Sequence, residues 1–158
     1  MTAMPRLLSR RATLGGLSTL ALTSACGGGP KPPGSVDLAI SGQAGANPGP
    51  GGDDRPLTLQ ILQLRGTAAF DAANALSLQD PATALGAELV KVETVALAPG
   101  GTASKTLVLD PSTTAVGVVG GYRDPAGKTV RAKAAVSPTD KASFAVTVGP
   151  KGVMMAPA

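Results

Sequence analysis

The only cysteine of the chain, Cys26, closes the segment Leu22-Thr23-Ser24-Ala25-Cys26 and precedes three glycines. A thiol acts as a nucleophile in enzymes when a neighbouring base activates it, and that base is usually a histidine. Because the chain contains no histidine, a cysteine–histidine catalytic pair is excluded. An unpaired thiol that follows small residues is better suited to covalent modification.

The residues before Cys26 have the composition of a secretory signal peptide. Arg6, Arg10 and Arg11 form a positive region, and the 14 residues from 12 to 25 are small or apolar and uncharged. A membrane-spanning helix needs about 20 such residues, whereas this length is typical of the apolar region of a signal peptide. We therefore assign residues 1–25 to a signal peptide. The paired arginines leave both the general and the twin-arginine export routes open.

The segment that ends at Cys26 resembles a bacterial lipobox, although Thr23 stands where leucine is usual. The resemblance implies that Cys26 carries acyl chains such as palmitate and becomes the first residue after cleavage. Two or more acyl chains give stable membrane attachment. Gly27, rather than aspartate, follows Cys26, which implies the outer membrane with the domain facing the periplasm. The alternatives are an ordinary signal peptide with an incidental cysteine, or a buried free thiol.

The net charge of the mature chain gives no support for nucleic-acid binding. Three of the 14 basic residues precede Cys26 and none of the 10 acidic residues does, which leaves 11 basic against 10 acidic residues after it. Aromatic residues make up only 2% of the chain, so base-stacking platforms are also lacking. The same scarcity predicts a core of valine, leucine, isoleucine and alanine.

Alternating hydrophobicity predicts an all-β domain over residues 35–150. Residues 26–34 (CGGGPKPPG) read as a glycine- and proline-rich tether, and residues 151–158 as a C-terminal tail. Period-two segments separated by turn residues predict about seven or eight strands in an antiparallel β-sandwich. The predicted strands are centred on residues 36–40, 57–64, 90–97, 106–109, 116–122, 130–136 and 144–148.

Two features interrupt the strand pattern after the second strand. The apolar phase changes at Ile61-Leu62, which predicts a β-bulge near these residues. Residues 67–78 then predict a helix with Thr67 as its cap. Asp80-Pro81 predicts the start of a second short helix that ends at Gly86.

A long polar loop, residues 42–56, joins the first two predicted strands. Loops of this length inside a small domain are usually functional or disordered. Asp53 and Asp54 are adjacent carboxylates, but no further oxygen ligands follow at the spacing of a calcium loop. We interpret this pair as a solvated loop feature rather than a metal site.

The order and spacing of several motifs between Cys26 and Pro138 resemble the TssJ family (VasD/SciN), the outer-membrane lipoproteins of type VI secretion systems. The resembling residues are Asn47-Pro48, Arg55-Pro56, Gln63-Leu64, Ala69-Phe70, Leu85 to Leu89, Leu97 to Gly100 and Val118 to Asp124. The family usually has tyrosine where this chain has Gln63, and it favours phenylalanine at Tyr122.

The resemblance implies a transthyretin-like β-sandwich with a small helical insert between strands two and three. It also implies a partner, the periplasmic C-terminal part of the inner-membrane protein TssM, and no cofactor or small-molecule substrate. In the family, the loop between the first two strands contributes to that contact. Carried over to this sequence, the contacting residues are Asn47, Pro48, Arg55 and Pro56. The alternative is that these four residues only set turn geometry.

An enzyme is not expected from this sequence, because no serine lies in a nucleophile-elbow pattern and histidine is absent. The other interpretation is a periplasmic β-sandwich lipoprotein that assists envelope assembly or binds cell-wall glycan. Glycan binding generally uses exposed aromatic side chains, and this chain has only Phe70, Tyr122 and Phe144.

We predict that Cys26→Ser abolishes incorporation of labelled palmitate and releases the full-length protein from membranes, because the acyl chains have no other thiol to occupy. Membrane fractionation of cells expressing each form measures both effects. Unchanged membrane retention of the variant would contradict the anchor.

Overall fold

Eight strands and a short helical segment form the fold of residues 28–158, the part of the chain that the computed structural model describes. The predicted signal peptide and Cys26 lie outside these residues. The strands are β1 (Ser35–Gly42), β2 (Leu57–Leu64), β3 (Leu89–Leu97), β4 (Thr102–Val108), β5 (Ala115–Gly120), β6 (Arg131–Ala135), β7 (Lys141–Gly149) and β8 (Gly152–Pro157). The α-helices are α1 (Ala68–Ala72) and α2 (Pro81–Leu85), with short 3-10 helices at Ser77–Gln79 and Gly86–Glu88.

The strands form two four-stranded sheets that face each other, which confirms the predicted β-sandwich. The front sheet has the order β4-β1-β7-β8 and the back sheet the order β3-β2-β5-β6. All neighbours are antiparallel except β1 and β7, which are parallel. The expectation of a wholly antiparallel sandwich is therefore wrong for this pair. The turn after β6 delivers the chain to the end at which β1 begins, so β7 must start beside Ser35 and run in the same direction.

The core between the sheets is built from alternate residues of the strands, because successive side chains of a strand point to opposite faces. Val36, Leu38 and Ile40 of β1 are buried, while the intervening Asp37 and Ala39 are exposed. Aliphatic residues dominate this core, as the composition predicts. Its remaining buried members are Ala46, Leu57, Leu59, Ile61, Leu97, Leu107, Leu109, Val116, Val118, Tyr122, Phe144, Val146, Val148 and Val153.

The change of apolar phase in β2 has a different cause from the predicted bulge. Ile61 faces the sandwich core, whereas Leu62 and Leu64 lie on the opposite face of the back sheet in a second apolar cluster. That cluster includes Phe70, Leu78 and Leu85 of the helical segment. The back sheet is thus covered on both faces, and β2 carries apolar residues in both phases. The register of β2 with β3 shifts only later, between Gln63 and Leu64.

The helical segment is shorter and more broken than the sequence suggests. Helix α1 ends at Ala72 rather than continuing to Leu78. Asn74 and Ser77 exchange hydrogen bonds between side chains and backbone N–H groups, which offers the backbone an alternative to the helix. The start of α2 follows the prediction, since the Asp80 carboxylate accepts a hydrogen bond from the Thr83 N–H and Pro81 occupies the first turn.

The C-terminal residues form a strand rather than the predicted tail. Gly152, at a φ of +125°, follows the turn after β7, and the chain returns as β8 along the edge of the front sheet. Val153 is fully buried in the core. Met154, Met155 and Ala156 lack an alternation of apolar with polar residues, which is why the sequence pattern did not reveal the strand.

A buried glutamine joins the two sheets at one end of the sandwich. The Gln63 amide donates to the Val108 carbonyl at 2.9 Å and accepts from the Asp110 N–H at 2.9 Å. Its oxygen also accepts from the Thr113 hydroxyl at 2.9 Å. Because β2 and Val108 belong to different sheets, this side chain acts as a polar cross-link inside the apolar core.

The tether joins the domain at the end of the sandwich where Gln63 lies. Backbone hydrogen bonds hold the junction, Gly34, in place. Gly34 donates to the Pro138 carbonyl at 2.7 Å and accepts from the Leu109 N–H at 2.9 Å. A Cβ atom at Gly34 would lie 2.2 Å from the Asp140 carbonyl oxygen, so only glycine fits. β1 then runs about 25 Å away from this point. The molecule therefore has a tether end and an opposite, distal end.

We predict that Gln63→Ala lowers the free energy of unfolding of the mature domain by about 2–3 kcal/mol, because it leaves buried polar groups without partners. Urea unfolding measures the change as a fall in midpoint at constant slope. Gln60→Ala is the matched control, since Gln60 lies on the same strand and makes one hydrogen bond of 3.3 Å. Equal effects of both variants would contradict the cross-link.

Candidate functional site: the distal loops

Four connections meet at the distal end of the sandwich, opposite the tether. They are residues 43–56 between β1 and β2, 98–101 between β3 and β4, 121–130 between β5 and β6, and 150–151 between β7 and β8. Hydrogen bonds join three of them, since the Arg123 N–H donates to the Asn47 side chain and the Thr129 N–H to the Lys151 carbonyl, each at 2.9 Å. The loop 43–56, which the sequence singled out, is the longest of the four.

The loop 43–56 is held in one shape by its own hydrogen bonds. The Asp54 carboxylate accepts from the Gly45 N–H at 2.8 Å and from the Asn47 N–H at 2.9 Å. Pro48 and Asp54 form an isolated antiparallel bridge, and Gly49 donates to the Asp53 carbonyl at 2.7 Å. The loop is thus a small closed hairpin. Both carboxylate oxygens of Asp54 are taken by the backbone, which fits the interpretation of Asp53-Asp54 as a loop feature.

Two glycines give the hairpin tip its geometry. Gly52 has a φ of +86°, a backbone conformation that favours glycine. A Cβ atom at Gly49 would lie 2.4 Å from the Arg55 Nε atom, so the arginine side chain crosses directly over Gly49. The Arg55 side chain therefore packs against the hairpin tip at Gly49 and stays exposed to solvent.

Asn47 fastens this loop to its neighbour. Its side chain is 6% exposed. The amide donates to the Pro56 carbonyl at 3.1 Å, and the amide oxygen accepts from the Arg123 N–H at 2.9 Å. The Asn47 carbonyl accepts from the Arg55 N–H at 3.0 Å. One asparagine thus fixes the backbone of both exposed arginines.

The four residues that the family resemblance implied as partner contacts therefore occupy two different environments. Pro48, Arg55 and Pro56 are exposed and available for contact, whereas Asn47 is buried and its amide already has partners. Arg123 was not nominated, although it lies in one of the resembling motifs. Only the fold reveals that Arg123 shares Asn47 with Arg55, because 76 residues separate it from Asn47.

Tyr122 and Lys128 extend the same surface toward β8. The Tyr122 hydroxyl donates to the Gly149 carbonyl at 3.2 Å, and burial raises the pKa of this side chain to about 12. The Lys128 ammonium lies 5.5 Å from the centre of the tyrosine ring and donates to the Pro150 carbonyl at 2.8 Å. Tyr122 therefore ties the loop 121–130 to the end of β7, and Lys128 ties it to the turn between β7 and β8.

The distal loops expose proline, arginine and lysine side chains. Within residues 28–158 no group of three or more histidine, cysteine, aspartate or glutamate side chains converges in the way that a metal ion requires. No helix of this part of the chain is long and apolar enough to cross a membrane. Pro48, Arg55 and Arg123 are among these exposed residues, on loops at one end of a two-sheet β-sandwich.

Comparison with known proteins places the chain in a family. The T6SS-SciN family model, described as type VI secretion lipoprotein, VasD, EvfM and TssJ, matches residues 34–151. The chain belongs to this family of type VI secretion lipoproteins, which confirms the resemblance seen in the sequence. No functionally curated protein sequence matches the chain significantly.

Solved structures share the fold. The type VI secretion lipoprotein TssJ1 from Pseudomonas aeruginosa is 26% identical with a TM-score of 0.73, and the match covers 80% of this chain and 98% of that one. Serratia marcescens Lip, described as a membrane-bound component of the type VI secretion system, gives 22% identity, a TM-score of 0.70, and coverages of 77% and 96%. A structure described as the TssM C-terminal domain (869-1107) from EAEC contains a chain that matches at 22% identity and a TM-score of 0.62, with coverages of 78% and 98%.

We predict that Asn47→Asp destabilises the domain by about 1–3 kcal/mol at pH 7, because an oxygen replaces the amide donor that faces the Pro56 carbonyl. Burial and the nearby Asp54 carboxylate raise the pKa of the introduced acid above its unfolded value of about 3.9, so the penalty appears as the pH rises through that range and shrinks near pH 4.

Chemical unfolding at both pH values measures this effect. Asn74→Asp is the control, since the Asn74 side chain acts only as an acceptor, from the Ser77 N–H. A penalty at Asn47 that does not change with pH would contradict the proposed geometry.

Proposed function

We propose that this type VI secretion lipoprotein is anchored in the outer membrane through Cys26 and binds the periplasmic C-terminal part of TssM with its distal loops. It then links the two membranes as a non-enzymatic component of the secretion complex. The observation that carries the proposal is the hydrogen-bonded 43–56 loop, which lies at the end opposite the tether in a member of this family.

The positions of the two ends support this arrangement. The tether leaves the domain at Gly34, and nine residues from Cys26 to Gly34 reach about 30 Å at full extension. β1 then spans about 25 Å from this exit point to the distal end. A domain held to the outer membrane by its N-terminus would therefore present the loops 43–56 and 121–130 toward the periplasm.

The partner is supported by the family and by a structural neighbour. A chain with this fold occurs in a structure that is described as the TssM C-terminal domain. In this chain, we assign the contact to Pro48, Arg55 and Pro56, and we assign Asn47 to positioning rather than direct contact. Rigid prolines cost little conformational entropy on binding, and a guanidinium group can bind a carboxylate through two hydrogen bonds.

Glycan binding receives no support from the aromatic residues. Phe70, Tyr122 and Phe144 are all buried, so none provides a stacking surface for a sugar ring. The glycan-binding alternative is retained only as an outcome of the binding experiment.

We predict that Arg55→Gln weakens binding of the TssM periplasmic fragment about tenfold, which corresponds to about 1.4 kcal/mol. Isothermal titration calorimetry with the mature domain measures the affinity. Arg65→Gln is the matched control, because Arg65 is also an exposed arginine but follows β2 at the tether end. Equal losses for the two variants, or binding to peptidoglycan in place of TssM, would contradict the assignment.

Replacing the tip of the 43–56 loop tests its role in binding and keeps the hydrogen bonds at the base of the loop. Asn-Gly in place of Gly49–Asp53 keeps Asp54 and its two hydrogen bonds, and this dipeptide favours a tight hairpin turn. We predict an unchanged circular dichroism spectrum and a loss of binding of at least about tenfold. Full affinity of the folded variant would remove the loop tip from the interface.

A further inference from the structure

Five basic residues at or beside the distal end lack a carboxylate partner. Within residues 28–158 the ion pairs join Lys91 and Lys105 to Glu93, and Lys133 to Asp71. None of these pairs includes the five residues, which are Arg55, Arg123, Lys128, Arg131 and Lys151. The acids of the distal loops are Asp53, Asp54 and Asp124. Asp54 accepts two backbone N–H groups, and Asp124 accepts the Ala126 N–H.

Two of these basic residues line one recess. It has a volume of about 350 Å³ and lies between the helical segment and the start of β6. One wall is formed by Ala73, Asn74 and Ala75, and the other by residues 128–131, which include Lys128 and Arg131. The lining thus combines small apolar groups with two cations and contains no acid.

Hydrogen bonds to backbone carbonyls hold both cations in place. Arg131 donates to the carbonyls of Ala73 and Asp71, and Lys128 donates to the carbonyl of Pro150. In the helical segment, the Asp71 carboxylate is paired with Lys133, whose hydrogen bond lowers the pKa of this carboxylate, and the positive charge of Arg131 also contributes to lowering it. The two cations are therefore fixed before any ligand arrives, and each keeps unused N–H donors, since guanidinium has five and ammonium three.

An adjoining recess holds a buried acceptor without a partner. Gln60 Oε1 is inaccessible to solvent and makes no hydrogen bond, while its amide donates to the Gln79 carbonyl. Gln60 lines a second recess of about 90 Å³, which shares Ala75 and Val130 with the first. Beside them, Leu76 is 74% exposed. An apolar group of a partner would find a place against Leu76.

We infer that this pair of recesses, the insert cleft, binds an acidic, partly apolar segment of the partner protein. A carboxylate of that segment lies between Lys128 and Arg131, and an apolar side chain covers Leu76. The inference rests on the proposed function for the identity of the partner. It extends the interface from the 43–56 loop to the helical segment, and the hydrogen bond between Asn47 and Arg123 connects the two surfaces.

The test is the affinity of the mature domain for the TssM periplasmic fragment, measured by titration calorimetry at about 0.05 M and about 0.3 M salt. We expect Lys128→Gln to weaken binding several-fold and Lys128→Glu at least about tenfold, because a reversed charge repels the carboxylate. The wild-type affinity should fall with salt, and this dependence should be smaller in both variants. Thermal melting verifies that each variant is folded.

Lys141→Glu is the matched control. Lys141 is exposed at the start of β7, at the tether end, and forms none of the ion pairs of the described residues. We expect its affinity to stay within about twofold of the wild type. Lys128→Glu binding within about twofold of the wild type would overturn the insert cleft while leaving the proposed function intact. Failure of the wild-type domain to bind the fragment would contradict the proposed function itself.

Discussion

The side-chain amide of Asn47 is the interaction on which the distal end depends. This amide joins the 43–56 loop to the 121–130 loop. The backbone carbonyl of Asn47 also accepts a hydrogen bond from the Arg55 N–H. Without Asn47, two glycine- and proline-rich segments would pay a large entropic cost to adopt one arrangement. In this domain the loops lose their conformational entropy during folding. A partner therefore binds loops that are already ordered, and binding does not have to order them. The aliphatic core provides the rigid frame, and a few buried polar groups such as Gln63 set the geometry at its ends.

Much of the fold follows from the sequence, because alternation along β1, β2 and β7 reports directly which side chains face the core. The strand prediction was wrong in two places where alternation does not report burial. One is under the helical segment, which covers the outer face of the back sheet, and the other is the edge strand β8. Leu62 and Leu64 are apolar because the helical segment covers the back sheet, and β8 lacks alternation because only Val153 enters the core deeply. The parallel pairing of β1 with β7 depends on how the chain crosses between sheets, which no local pattern encodes.

The candidate site was predictable only in part. A loop of unusual length pointed to residues 43–56, and resembling motifs pointed to Asn47 and Arg55. The different roles of these two residues depend on burial and on a contact with Arg123, which is distant in sequence. The insert cleft has no sequence signature at all, since Gln60, Ala75 and Lys128 come together only through the packing of the helical segment on the back sheet.

Hydrogen–deuterium exchange of the mature domain, with and without the TssM periplasmic fragment, tests the central claim most directly, because it locates the interface without any substitution. The account predicts slower exchange in residues 43–55 and 121–131 on binding, and unchanged exchange around Gly34, Leu109 and residues 139–141 at the tether end. Protection confined to the tether end or to the edges of β3 and β4 would contradict the account.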